Sequence, residues 1–269
     1  MPLFKNSFTD KLIVFLLTAM FSLSSMAADV NQTLRLANQG DAGAQNQLGA
    51  MYHQGQGVHQ DYTKAVKWYQ KAASQGDAGA QYNLGIMYNQ GLGIRQDHTK
   101  AVEWHQKAAN QGVPDAQYNL GIMYYQGIGI RKDPVKARSW VQKSANQGYA
   151  NAQNAFGLMH YQGQSVPQSY NKAMEWYHKA ANQGHSTAQN NLGVMYDKGQ
   201  GTPQNYTKAV EWYQRAANQG NAGAQNNLGV MYFRGNGLRK DYGKAYEWFE
   251  KSCKNGLQSG CNWIESLDY

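Results

Sequence analysis

Three groupings in this sequence have residue types and spacings that could do chemistry. Ser169-Tyr170-Asn171-Lys172 has the Ser-x-x-Lys spacing in which a lysine activates a serine nucleophile, yet its usual companions, Ser-Asp-Asn and Lys-Thr-Gly, occur nowhere in the chain. Cys253 and Cys261 are the only cysteines and stand eight residues apart, a pair that an oxidising compartment would join as a disulfide. The seven histidines are scattered, with no His-Glu-x-x-His pair and no Cys/His metal spacing, and no glycine loop cradles a phosphate before a strand. Neither a metal nor a cofactor is expected.

The elements that must position these residues emerge from counting. Tryptophan falls at Trp68, Trp104, Trp140, Trp176, Trp212 and Trp248, a constant step that marks stacked repeats. The same step relates Leu48, Leu84, Leu120, Phe156, Leu192 and Leu228, each followed by glycine, and Ala44, Ala80, Ala116, Ala152, Ala188 and Ala224. Ala44, Leu48, Met51 and Tyr52 recur at helical spacing, as do Ala65, Trp68, Ala72 and Ala73, so each unit is predicted to be two helices. A glycine-rich break such as Gly55-Gln56-Gly57 separates them and ends on Asp61, Asp97, Asp133, Ser169, Asn205 or Asp241, all N-cap types. Pro134 after Asp133 suits a first helical position, and Gly76, Gly112, Gly148, Gly184, Gly220 and Gly256 suit helix ends. Ser169 therefore reads as a cap and Lys172 as one member of a lysine column.

The expected fold is all-α: six helix-pair units at 41–76, 77–112, 113–148, 149–184, 185–220 and 221–256. A half-repeat cap at 29–40 precedes them and a capping helix at 257–269 follows. One pair of short helices buries too little apolar surface to stand alone, so neighbours must stack, with Gly49 and Ala44 allowing close approach.

Residues 1–28 have the parts of a secretory signal: Lys5 and Lys11, an apolar run from Leu12 to Leu23, and Ser24-Ser25-Met26-Ala27-Ala28, with cleavage expected after Ala27 or Ala28. No later stretch is apolar enough to span a membrane. Loss of Lys5, Lys11 and Asp10 would lower the net charge from +8 to +7. Much of that charge lies in two columns, Lys64, Lys100, Lys136, Lys172, Lys208, Lys244 and Lys71, Lys107, Lys143, Lys179, Arg215, Lys251. Glu103, Glu175, Glu211 and Glu247 precede a base by four residues, which predicts a solvated ion-pair ladder and not a nucleic-acid site. By spacing, the tryptophans are expected in the core.

Ala80-Gln81-Tyr82-Asn83-Leu84-Gly85-Ile86-Met87-Tyr88 and Ala101-Val102-Glu103-Trp104 resemble the Sel-one-like repeat family, a branch of the tetratricopeptide superfamily. The resemblance implies a right-handed α/α solenoid of antiparallel helix pairs acting as a protein-binding adaptor, including exported members of the bacterial envelope. It places one row, Asn46, Tyr82, Tyr118, Asn154, Asn190 and Asn226, on a concave face. Beside it would lie His53, Asn89, Tyr125, Tyr161, Asp197 and Phe233, flanked by Lys198 and Arg234 in the later units. Asparagine amides and tyrosine tips are what an extended peptide backbone needs. Cysteine-rich secreted members of the family join adjacent helices with pairs spaced as Cys253 and Cys261 are. The fourth unit departs from the pattern at Phe156, His160 and Ser165. The expected function is a non-enzymatic periplasmic or secreted scaffold for a protein segment. Alternatives are a cell-wall or β-lactam-directed activity through Ser169, or binding of anionic envelope polymers.

Overall fold

A computed structural model describes residues 30–267, all of whose regular structure is helical. The expected signal segment lies outside the described residues. Residues 30–38 form α1. Six pairs follow, with first helices α2 (Ala42–Gln54), α4 (Ala78–Gln90), α6 (Pro114–Gln126), α8 (Ala150–Gln162), α10 (Ser186–Lys198) and α12 (Ala222–Arg234). Their second helices are α3 (Tyr62–Ser74), α5 (His98–Asn110), α7 (Pro134–Asn146), α9 (Tyr170–Asn182), α11 (Tyr206–Asn218) and α13 (Tyr242–Lys254), and α14 (Gln258–Leu267) completes the order. The chain divides into two compact units: unit 1 runs to Ala116 and includes Gly127–Arg131, while unit 2 comprises Gln117–Gln126 and Lys132 onward. Each unit is a solenoid stack of consecutive helix pairs.

Local chemistry sets these bounds. Asp61, Asp97, Asp133, Ser169, Asn205 and Asp241 each accept a hydrogen bond from the backbone N–H three residues on, satisfying an orphan donor of the second helix. First helices end on glycines in the left-handed region, such as Gly55 at φ 73° and Gly235 at φ 75°. The second loop glycine, at φ 66° to 73° in five repeats, is Ser165 in the fourth, and the serine holds the same conformation at φ 59°.

The core differs from the expected one at a single helical step. The tryptophans are only half-buried, and the fully enclosed column is the next residue: Tyr69 and His105 in unit 1, Val141, Tyr177, Tyr213 and Phe249 in unit 2. Each presses on the glycine after the leucine column. A Cβ on Gly49 would come within 2.6 Å of the Tyr69 ring, and one on Gly193 within 2.5 Å of Tyr213. Those glycines let two helix backbones meet across an aromatic ring.

A second buried column is polar. Gln45, Gln81, Gln153, Gln189 and Gln225 are about 5% exposed, and each donates Nε2 to the carbonyl eight residues earlier, at 3.0–3.3 Å. Each Oε1 then accepts from the side chain thirty residues later: Gln75, Gln111, Gln183, Gln219 or Asn255, at 2.7–2.9 Å. Satisfied at both ends, the amides tie neighbouring pairs together without the cost of an orphaned buried group. Cys253 and Cys261 form a disulfide and occupy the alanine and glutamine addresses of this motif, so a covalent bond stands where the other repeats have an amide–carbonyl hydrogen bond.

Candidate functional site

Positions four and seven residues apart share one helical face. On the first helices that face carries the expected row and its neighbours, and an apolar column of Ile122, Leu158, Val194 and Val230 runs between them in unit 2. Leu158 is 39% exposed and Tyr125 36%. The remaining row members are half-buried, except the exposed Lys198 and Arg234.

In unit 1, Asn46 Oδ1 accepts from Asn83 Nδ2 at 3.1 Å, and Asn89 Oδ1 lies 2.9 Å from His98 Nδ1. The His53 ring sits 5.5 Å from Tyr62, and Tyr82 sits 5.7 Å from the buried His105. Burial lowers the His105 pKa to about 4, and its Nδ1 has no hydrogen-bond partner among the described residues, so the ring is neutral.

In unit 2, hydroxyls and amides bridge neighbouring repeats. Tyr125 and Tyr161 donate to Gln164 and Gln200 at 3.1 and 2.9 Å. Asn154 and Asn190 accept from Asn191 and Asn227 at 3.1 and 3.0 Å. Tyr118 meets Tyr149 edge-on at 5.6 Å, and Phe233 packs between Tyr242 and Trp263 at 5.3 and 5.2 Å. Among the described residues Asn226 Oδ1 is buried without a partner, because Trp263 fills the address from which an asparagine donates in earlier repeats. Burial raises the Asp197 pKa against the opposing pull of Arg234 and Lys198, and the Tyr213 hydroxyl hydrogen-bonds to its carboxylate. The row is thus a stiff surface whose oxygens are partly engaged already, with aromatic and apolar area left between them.

Two sequence expectations change on the second-helix side. Among the described residues, Glu103, Glu175, Glu211 and Glu247 make no ion pair within 4 Å. The bases of the Lys71 column lie over the tryptophan rings: Lys71 at 4.1 Å from Trp68, Lys107 at 3.9 Å from Trp104, Lys179 at 3.9 Å from Trp176 and Arg215 at 4.6 Å from Trp212. In the other column Lys64, Lys100, Lys136, Lys208 and Lys244 lie over tyrosines, with Lys64 5.3 Å from Tyr52 and Lys244 5.4 Å from Tyr232. A half-buried indole under a cation keeps one face in the core, and the spacing argument saw only that face. Ser169 Oγ accepts from the Lys172 backbone N–H at 3.3 Å, so this serine caps α9.

With helix pairs, caps and loops repeating in register, comparison with known proteins becomes decisive. The Sel1 repeat model matches residues 42–77, 78–113, 114–149, 150–185, 186–221 and 222–257. The chain belongs to the Sel1 repeat family. A Sel1 repeat scaffold suggests protein–protein interaction, and Sel1 repeat proteins are in general non-enzymatic. The chain is similar to the crystal structure of c5321, a protective antigen of uropathogenic Escherichia coli strains with an SLR fold. Identity there is 36% and the TM-score 0.81, over 88% of this chain and 51% of that one. It is also similar to a Sel1 repeat protein from Oxalobacter formigenes, at 37% identity and TM-score 0.77, over 87% of this chain and 68% of that one. The chain thus spans about half the length of the first. Yeast Tom70, at 13% identity and TM-score 0.51 over 92% of this chain and 59% of that one, shares the fold alone. A comparison with curated proteins gives no match. No described helix is long and apolar enough to cross a membrane, and the disulfide is compatible with export.

Proposed function

We propose that this Sel1 repeat chain is an exported scaffold that holds an extended protein segment against the first-helix face of unit 2 and catalyses no reaction. The observation that carries this reading is the alternation on that face. The apolar column Ile122, Leu158, Val194, Val230 is bordered by Tyr118, Asn154, Asn190, Asn226 on one side and by Tyr125, Tyr161, Asp197, Phe233 on the other. An extended segment presents side chains and backbone groups alternately, so the apolar column would take the first and the amides and hydroxyls the second. Pre-organisation by the Tyr–Gln and Asn–Asn bonds lowers the entropy lost on binding. Lys198 and Arg234 favour a segment with acidic character at that end. Asn46, His53, Tyr82 and Asn89 offer a like surface in unit 1. Export is supported by the signal-like residues 1–28 and by the disulfide.

The test is crosslinked capture from the envelope fraction by the wild-type chain and by the Tyr118→Ala/Tyr125→Ala/Tyr161→Ala variant. The reading expects a protein enriched by the first and lost from the second. The same proteins captured by both would remove this face as the binding site.

A further inference from the structure

We propose that the second-helix side of the first repeat in unit 1, formed by α3 with α1, docks on an anionic phospholipid surface. This goes beyond the proposed peptide face and is independent of it. The motive is a departure from the repeat. Where α5, α9, α11 and α13 place Glu103, Glu175, Glu211 and Glu247 between their two basic columns, α3 places Lys67. Lys64, Lys67 and Lys71 therefore share one face of a helix that contains no acidic residue. They span about 10 Å along its axis at 1.5 Å per residue. Asp61 lies 3.5 Å from Lys64, and among the described residues Lys67 has no carboxylate within 4 Å. The three lysines line an open groove of about 460 Å³ with Trp68, Gln70 and Ser74.

The neighbouring element extends the patch. α1 occupies the place of a preceding second helix, its Ala37 packing in the same cluster that Trp68 joins. In repeat register Arg35 stands at the address of Lys71 and Leu34 at that of Gln70. Leu34 is 36% exposed. A row of cations beside an exposed leucine is the chemistry of an interfacial surface, in which charge is drawn to anionic headgroups and an apolar group enters the boundary. Nucleic acid is a poorer fit, because Lys71 already lies over Trp68 and covers the ring face a base would stack on. α7 also lacks acidic residues, but its Arg138 is already engaged, donating to the Ser165 carbonyl at 3.3 Å.

Co-sedimentation with phosphatidylglycerol-containing vesicles tests the proposal, with the full chain in every arm so that binding through any other segment cancels. At about 1 kcal/mol per lysine near a charged surface, Lys64→Gln/Lys67→Gln/Lys71→Gln is expected to weaken partitioning roughly 100-fold. The charge-matched Lys172→Gln/Lys179→Gln/Lys208→Gln variant of unit 2 is expected to stay within about threefold of wild type, and arginine at all three α3 positions to retain binding. No loss in the α3 glutamine variant, equal loss in both glutamine variants, or equal loss with arginine would each overturn it.

Discussion

His105 gives the core a pH dependence that can be worked out in advance. It fills the address held by tyrosine, valine or phenylalanine in the other repeats, is 2% exposed, and would crowd any side chain at Gly85, whose Cβ would lie 2.7 Å from the ring. Burial depresses its pKa from 6.5 to about 4. The unfolded chain therefore takes up a proton as pH falls through 6.5, while the folded chain resists until about 4, so the neutral ring's contribution is present above 6.5 and lost between those values. At 1.36 kcal/mol per unit, the loss approaches about 3 kcal/mol. Urea denaturation of wild type and His105→Tyr, followed by circular dichroism at pH 7 and pH 4, measures it. Acid will weaken both proteins through their shared groups, but wild type should lose about 3 kcal/mol more than the variant. Equal losses would refute the claim that this ring is held neutral by burial.

Three further outcomes follow from the packing. Gly193→Ala forces a methyl against the Tyr213 ring and should destabilise unit 2 by about 1–3 kcal/mol in the same assay. Ser165→Gly relieves a left-handed serine and should stabilise by about 0.5–1 kcal/mol, an unchanged midpoint contradicting the strain. Reduction of wild type should cost about 2–3 kcal/mol at the α13–α14 junction. The Cys253→Ala/Cys261→Gln variant restores the alanine–glutamine pair of the other repeats, and should keep α14 amides protected from exchange in reductant.

Much of this was legible in the sequence because the repeat writes each address six times. Caps, loop glycines and helix pairing follow from single columns whose residue types have one local use, such as Asp61 and its equivalents. The buried column beside the tryptophans was hidden because its members are tyrosine, histidine, valine and phenylalanine, which share shape filling and little else. Its signal was the recurring glycine that receives it, Gly49 through Gly229. The glutamine column was visible as a recurrence, but an amide reads as surface until its two partners, eight and thirty residues away, are seen together. The lysines were misjudged for a related reason: spacing along one helix finds glutamate partners and does not weigh them against the tryptophan three residues away on the same face. The site row was legible only by resemblance, since its identities vary among repeats, and the apolar column through Leu158 gained weight only with its exposure.

The central claim, that a protein segment lies along the first-helix face, is tested most directly by site-specific photocrosslinking in cells. A crosslinking amino acid placed at Tyr125, Leu158 or Phe233 should yield one shared protein adduct, and one placed at Lys143 or Lys179 on the second-helix side should yield none. Adducts from the lysine positions alone, or none from the first-helix positions, would contradict the account.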